Sequence, residues 1–337
     1  MNLTNRCVVL ASRPEGAPAE HNFALESRAV STPKAGEILC RNRFISLDAG
    51  FRNWMDEGSG DHVLPEMPLG EPVMGLTLSE VIDSQHPRFK VGDLLMARFA
   101  WEEYTLTAAE DFLAPLGDTV DQPLNYYLGI LGDTGLSAYF GLMDYGEVKP
   151  GETVLVSAAA GAVGNVAGQI AKHLGARTVG ISSGADKCAR LIAEIGYDAA
   201  IDRNAADLPG QFRSACPDGV DVYFDNVGGP LLETVLDHIN EHARILLCGS
   251  VATYNNKAPA PGPNNLFQLT TNRALMRGFM THMNLDRYPH AREQLNQWVQ
   301  AGHLKVIEYK LKGIDQVGRA FCDLFAGNNF GKTIVEL

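Results

Sequence analysis

Between Ser157 and Ala176 the chain reads "SAAAGAVGNVAGQIAKHLGA", a run of small residues that passes straight into an amphipathic helix. Gly161 and Gly164, separated by Ala162 and Val163, occupy the second and third places of a Gly-x-Gly-x-x-Gly turn, and Ala159 takes the first. A small first residue still permits the tight turn. Gly161 lets a pyrophosphate approach the backbone, and Gly164 lets helix and strand pack closely. The free N–H groups and positive end of the following helix then face the phosphates. Small residues between a strand and a helix also arise from packing alone, so the turn needs support from its surroundings.

That support comes from the next βα unit. A site for NAD places a carboxylate about 20 residues beyond the turn, on the ribose hydroxyls. Here the stretch is "GISSGADKCAR", with Ser182 and Ser183 at the strand end, no acid before Asp186, and Lys187 immediately after it. Arg203 ends the next strand. Hydroxyls and cations suit a 2′-phosphate, which favours NADPH over NADH. The alternatives are a solvated helix face for Lys187 and a free loop charge for Arg203.

The elements that must position these residues follow from periodicity. Up to about residue 125, short apolar runs such as "EILCRNRFISL", "PVMGLTLSEVID" and "FKVGDLLMARFAWEEYTL" are broken by Gly and Pro and read as an irregular all-β unit. "LNYYLGILGDTGLSAYFGLMDYGEVKPGE" reads as helical pieces ending at Lys149 and Pro150. Beyond it, strands at 153–157, 177–182, 199–202, 221–227 and 243–249 alternate with helices, the pattern of a parallel sheet with crossovers. From about residue 303 a strand, a helix and a last strand could return to the first unit. "NNKAPAPGPNN" reads as a surface loop.

Composition narrows the function classes. The 337 residues are 45% hydrophobic and 20% charged, an ordinary globular balance, and the length suits two domains. A net charge of -12 argues against nonspecific attraction to nucleic acid or an anionic membrane. No apolar run is long enough to span a bilayer, and the start carries no apolar secretion signal, so a cytoplasmic location is expected. Six scattered cysteines, Cys7, Cys40, Cys188, Cys216, Cys248 and Cys322, suit a reducing compartment and argue against a Cys-rich zinc site. His238 and His242 are four apart on a stretch that reads as helix, where imidazoles suit the C-terminal dipole better than a metal. "YNNK" at 254–257 has the wrong spacing for the Tyr and Lys pair of a short-chain reductase.

Taken together, "GDTGLSAYFGL", "KPGETVLVSAAAGAVGNVAGQIAK", "GVDVYFDNVGG", "CGSVATYN" and the closing "GNNFGKTIVEL" resemble the zinc-free branch of the medium-chain dehydrogenase/reductase superfamily over nearly the whole chain. The similarity is to its leukotriene B4 12-hydroxydehydrogenase, prostaglandin reductase and curcumin reductase group of NADPH-dependent alkenal/one reductases. It implies an α/β architecture: a GroES-like β domain for substrate from 1–125, completed by 303–337, and a Rossmann domain at 126–302 with a doubly wound parallel sheet. The active site would lie in the cleft. Zinc-dependent relatives carry a Gly-His-Glu motif where this chain has "LGEPVMG", so no metal is expected.

The same resemblance puts Gly161, Ala162, Val163 and Gly164 at the pyrophosphate and Lys187 at the 2′-phosphate. Asn226 would line the cofactor cleft. Cys248, Gly249, Ser250 and Tyr254 would pass near the ribose and nicotinamide, and Phe279, Met280, Thr281 and Asn329 would close over the nicotinamide end. Two departures stand out. Relatives often have Tyr where Arg203 stands, and many have "DPYMRG" where this chain has "DAGFRN", so Gly50 replaces a pocket tyrosine while Phe51 and Trp54 crowd nearby as pocket residues.

The implied reaction is hydride transfer from NADPH to the β-carbon of an α,β-unsaturated ketone or aldehyde, with an enolate then protonated at the α-carbon. Tyr254 is the candidate donor to the carbonyl oxygen, since a phenol with a pKa of about 10 is protonated at neutral pH. The alternative is an ordinary loop tyrosine packed beside the cofactor. Other readings are a quinone reductase using the same cleft and a noncatalytic NADPH-binding sensor. Dimers are common among relatives, and an exposed edge of the Rossmann sheet could pair across a two-fold axis.

Overall fold

The structure is a computed structural model that describes residues 3–117, 120–258 and 260–337. The first strands are β1 (Thr4–Leu10), β2 (Phe23–Ala29), β3 (Ile38–Ser46), β4 (Met74–Ser84), β5 (Leu94–Ala100), β6 (Tyr104–Thr107) and β7 (Leu113–Pro115). Alternation then begins with α1 (Asp133–Phe140), β8 (Thr153–Val156), α2 (Ala162–His173), β9 (Arg177–Ser182), α3 (Ala185–Arg190), β10 (Ala199–Asp202) and α4 (Leu208–Ala215). It continues through β11 (Val220–Asp225), α5 (Gly229–Leu236), β12 (Ile239–Leu247), α6 (Phe267–Thr271), β13 (Leu275–Gly278) and α7 (Tyr288–Gln300). The chain ends with β14 (Glu308–Lys312), α8 (Val317–Ala326) and β15 (Lys332–Glu336). It divides into two compact units, Met1–Gly132 with Glu308–Leu337, and Asp133–Ile307.

In the first unit, seven strands form a sheet in the order β14-β15-β3-β4-β5-β7, with β6 also on β3, and β1 pairs with β2 separately. β15 pairs parallel with β14 and antiparallel with β3, so the last residues of the chain complete a sheet begun by the first hundred. α8 presents Val317, Ala320 and Phe321 to a core that also holds Ile45, Leu47, Val73 and Trp101. Phe321 lies edge-on to Trp101 at 5.1 Å, to Phe23 at 5.9 Å and to Phe325 at 5.3 Å, so one returning ring closes an aromatic cluster.

The second unit is a six-stranded sheet in the order β10-β9-β8-β11-β12-β13, its pairs all parallel. Counted from β8 this is the 3-2-1-4-5-6 order of a doubly wound Rossmann sheet. The chain runs outward from β8 in one direction and from β11 in the other. A crevice must therefore open beyond the carboxyl ends of those two strands, because no crossover fills it. β8 is buried along its whole length, as a central strand covered on both faces should be.

Two local readings change. The histidine segment is not helix: α5 stops at Leu236, His238 stacks on Phe212 at 4.8 Å, and His242 sits within β12 in the left-handed region at φ 65°. The reason is a register shift between Val220 and Val222, where β12 needs extra residues to keep pairing with β11. β13 is a further edge strand, only four residues long and largely exposed, which leaves little periodic signal to read.

Replacing Phe321 by Ala should cost about 3–5 kcal/mol, the range for deleting a buried aromatic ring. Urea unfolding followed by the fluorescence of its neighbour Trp101 will check this.

Candidate active site

The glycine-rich turn is built by close approach. After β8, Ala158 adopts a left-handed φ of 47°, and Ala159 donates its N–H to Ile181 of β9 at 3.0 Å. A Cβ on Gly164 would come within 2.3 Å of the Ala158 carbonyl oxygen and 2.7 Å of the Ala159 Cα. A Cβ on Gly168 would meet the Tyr197 ring at 2.1 Å. The buried Tyr197 hydroxyl donates to the Gly164 carbonyl at 2.7 Å and ties α2 to the turn before β10. Gly161 differs: the sole neighbour of an added Cβ is the Ala158 oxygen at 3.1 Å. No side chain caps α2 at Gly161, so its first N–H groups stay available to an anion.

At the ends of β9 and β10 the charge is positive. Ser182 is buried, and its carbonyl accepts the Arg203 N–H at 2.9 Å. Lys187 on α3 is half-buried and Arg203 is exposed. Burial, followed by the neighbouring Arg203 and Arg190, holds the Lys187 ammonium below its usual range. Arg190 has its own carboxylate, Glu194. Lys187 and Arg203 have no ion-pair partner among the described residues, so the electrostatic strain between them suits a ligand with two negative charges. The nearby Asp202 carboxylate already accepts the N–H groups of Gly184 at 2.8 Å and Asn204 at 3.0 Å.

The carboxyl ends of β8 and β11 meet through side chains. Asn226 donates its backbone N–H to Ser157 Oγ and its side-chain Nδ2 to the Ser157 carbonyl, both at 2.8 Å. From β12 the chain runs through Cys248, Gly249 and Ser250 to Tyr254, which folds back so that its hydroxyl accepts the Ser250 N–H at 3.0 Å. One lone pair is used in this way and the O–H proton is left to donate. Burial pushes the phenol above the ordinary tyrosine range, with Cys248 and Asp225 adding to the rise and the Ser250 N–H opposing it. Cys248 is itself pushed up to about 12 by burial, then by Asp133 and Asp225, and stays a thiol at neutral pH.

After β13, Phe279 packs on Tyr145 at 5.1 Å and Phe224 at 6.0 Å, and Thr281 is buried in a hydroxyl contact with Ser137 of α1. Met280 between them is exposed. Phe51, Trp54 and Asn329 belong to the first unit. Phe51 is 9% exposed within its apolar core, Trp54 lies edge-on to it at 6.2 Å, and Asn329 donates Nδ2 to the Gly331 carbonyl at 3.3 Å. An added Cβ on Gly50 would meet open space.

Comparison with known proteins fits this geometry. A family model for the N-terminal domain of oxidoreductases matches residues 6–114, and one described as zinc-binding dehydrogenase matches 162–300. The NADPH-dependent curcumin reductase of Escherichia coli is 38% identical, over 99% of this chain and 97% of its own. An NADP-dependent 2-alkenal reductase of Nicotiana tabacum is 34% identical, again over 99% and 97%. This chain belongs to the zinc-independent medium-chain dehydrogenase/reductases, in their alkenal/one oxidoreductase group. The crystal structure of CurA from Vibrio vulnificus in complex with NADPH superposes with a TM-score of 0.89 at 37% identity, covering 98% of each chain. Among the described residues of this reductase-family chain, no group of three or more His, Cys, Asp or Glu is placed to hold a metal ion.

Sequence reading missed Ser157, Asp225, Ser137 and Tyr197. Asp225 stands within the quoted "GVDVYFDNVGG", but its importance depends on β8 and β11 being neighbours. Gly164→Ala should lower stability by about 1–3 kcal/mol, the cost of forcing an extra methyl into a packed site. It should also weaken dinucleotide binding, because the turn must move; thermal melting with and without NADPH reads both effects.

Proposed function

We propose that this protein uses NADPH to reduce the C=C bond of α,β-unsaturated ketones or aldehydes, with Tyr254 as the hydrogen-bond donor to the substrate carbonyl. The observation that carries the reading is the Tyr254 hydroxyl, held by the Ser250 N–H with its own proton free and its phenol kept protonated by burial. Bound NADPH supplies the hydride. The protein's part is to orient the reactants and to stabilise the negative charge that develops on the carbonyl oxygen during hydride transfer to the β-carbon. An enolate results, and it takes a proton at the α-carbon.

The residues fit the cofactor. The uncapped start of α2, with Gly161, Ala162, Val163 and Gly164, would receive the pyrophosphate. Ser182, Lys187 and Arg203 would hold the 2′-phosphate. Asn226, Cys248, Gly249, Ser250 and the Phe279, Met280 and Thr281 segment would surround the ribose and nicotinamide, and Asn329 is a further candidate for the cofactor. Phe51 and Trp54 are the candidate substrate residues.

The reading extends to a cytoplasmic homodimer. Six free cysteines suit a reducing compartment, and no helix among the described residues is long and apolar enough to cross a membrane. Among the described strands β13 ends its sheet, with Leu275 exposed, and Phe267 and Met283, on the segments before and after it, are 72% and 74% exposed, apolar surface suited to a second copy.

The deciding assay follows oxidation of NADPH and of NADH with enones, alkenals and quinones, with products identified by mass. Saturated ketones or aldehydes and a strong NADPH preference are expected; hydroquinones alone, or cofactor binding without turnover, would overturn the proposal. Lys187→Ala and Arg203→Ala should each raise KM for NADPH about 10–100-fold and leave NADH use unchanged, the loss of one charged hydrogen bond apiece. Tyr254→Phe should lower kcat about 100-fold with little change in KM. Since the phenol titrates above its usual value, wild-type activity should not decline from Tyr254 ionisation until the pH exceeds about 10.

A further inference from the structure

Asp225 is the last residue of β11 and is fully buried at the point where the strand order reverses. One carboxylate oxygen, Oδ1, accepts four hydrogen bonds: from Ser157 Oγ at 3.0 Å, the Tyr223 hydroxyl at 2.8 Å, and the Val227 and Gly228 N–H groups at 2.9 Å each. Its backbone carbonyl accepts the N–H groups of Cys248 at 2.9 Å and Gly249 at 3.1 Å. The two loops are laced further by Val251 N–H to the Asn226 carbonyl at 3.2 Å and Ala252 N–H to the Val227 carbonyl at 3.0 Å. Asp225 thus ties β8, β11 and the start of the Tyr254 loop at one residue.

The other oxygen, Oδ2, is buried with no hydrogen-bond partner, and no cation pairs with Asp225 among the described residues. Holding a carboxylate in this way is costly. An asparagine of the same shape could accept all four Oδ1 hydrogen bonds through its amide oxygen without carrying a charge. Structural need therefore accounts for one oxygen and leaves the charge of the other unexplained.

We propose that Asp225 is a positioning residue for the reduction: through Ser157, Asn226 and the 248–250 backbone it holds Tyr254 as a protonated donor. This rests on the reading of Tyr254 given above. The titratable groups facing Tyr254 are Cys248 and Asp225, with Asp133 beyond Cys248. Of these, Asp225 sits on the strand end that anchors the loop, so its negative charge disfavours a tyrosinate beside it.

The test uses Asp225→Asn, Tyr254→Phe and the double variant. In the protein without cofactor, the Tyr254 titration is read as the ultraviolet tyrosinate signal lost on Tyr254→Phe. Its midpoint should fall in Asp225→Asn, and with NADPH and an acyclic enone kcat should drop about tenfold while KM for NADPH changes little. The double variant should be no slower than Tyr254→Phe. A wild-type midpoint and kcat in Asp225→Asn would overturn the role of Asp225 and leave the Tyr254 reading intact. Wild-type turnover by Tyr254→Phe would instead overturn that reading, and the positioning role with it. Should Asp225→Asn fail to fold, Ser157→Ala cuts the link to Asn226 and keeps the charge. A several-fold loss of kcat with the Tyr254 midpoint in place supports the proposal, and an unchanged kcat overturns it.

Discussion

The hydrogen bond from Ser157 to the buried carboxylate of Asp225 joins the ends of two strands between which the chain reverses its direction of travel. A doubly wound sheet leaves this place uncovered, because helices cross away from it on both sides. The backbone there is met in part by the loop after β12, whose Cys248 and Gly249 N–H groups reach the Asp225 carbonyl. Side chains satisfy the rest: Ser157 Oγ takes the Asn226 N–H, Asp225 takes those of Val227 and Gly228, and Asn226 reaches the Ser157 carbonyl. The turn before α2, the loop after β11 and the loop after β12 all start from this junction, so their geometry depends on it.

The surroundings divide into rigid and receptive parts. Gly164 and Gly168 lie where any Cβ would strike backbone or the Tyr197 ring, and Tyr197 locks the contact with its hydrogen bond. Their role is packing. An added Cβ at Gly161 would meet only one backbone oxygen, at 3.1 Å, at an uncapped helix start, and Lys187 and Arg203 bring two positive charges together with no ion-pair partner among the described residues. Both features are unfavourable without a ligand and favourable with a phosphate-bearing one. The polar junction and the anion-receptive loops thus stand at the same end of the sheet.

Much of this was legible in the residue order. The strands at 177–182 and 199–202 have the bounds read from their apolar runs, and the start of α2 at Ala162 follows from the run of small residues before it. The histidine segment was not legible, since a register shift inside β12 depends on its partner strand. Nor was the left-handed backbone of Ala158, a residue type that seldom adopts it.

Sequence by itself determined the class of the protein: alternating periodicity specifies the parallel sheet, the small residues mark the phosphate turn, and Ser182 with Lys187 in place of an acid indicates the phosphorylated dinucleotide. These are local properties, carried by neighbours along the chain. Tertiary structure decided what links those parts. Ser157 and Asp225 are separated by 68 positions and meet because β8 and β11 are adjacent; Phe321 meets Trp101 because the last strand returns to the first sheet. Such contacts follow from strand order, and strand order is set by how the whole sheet packs.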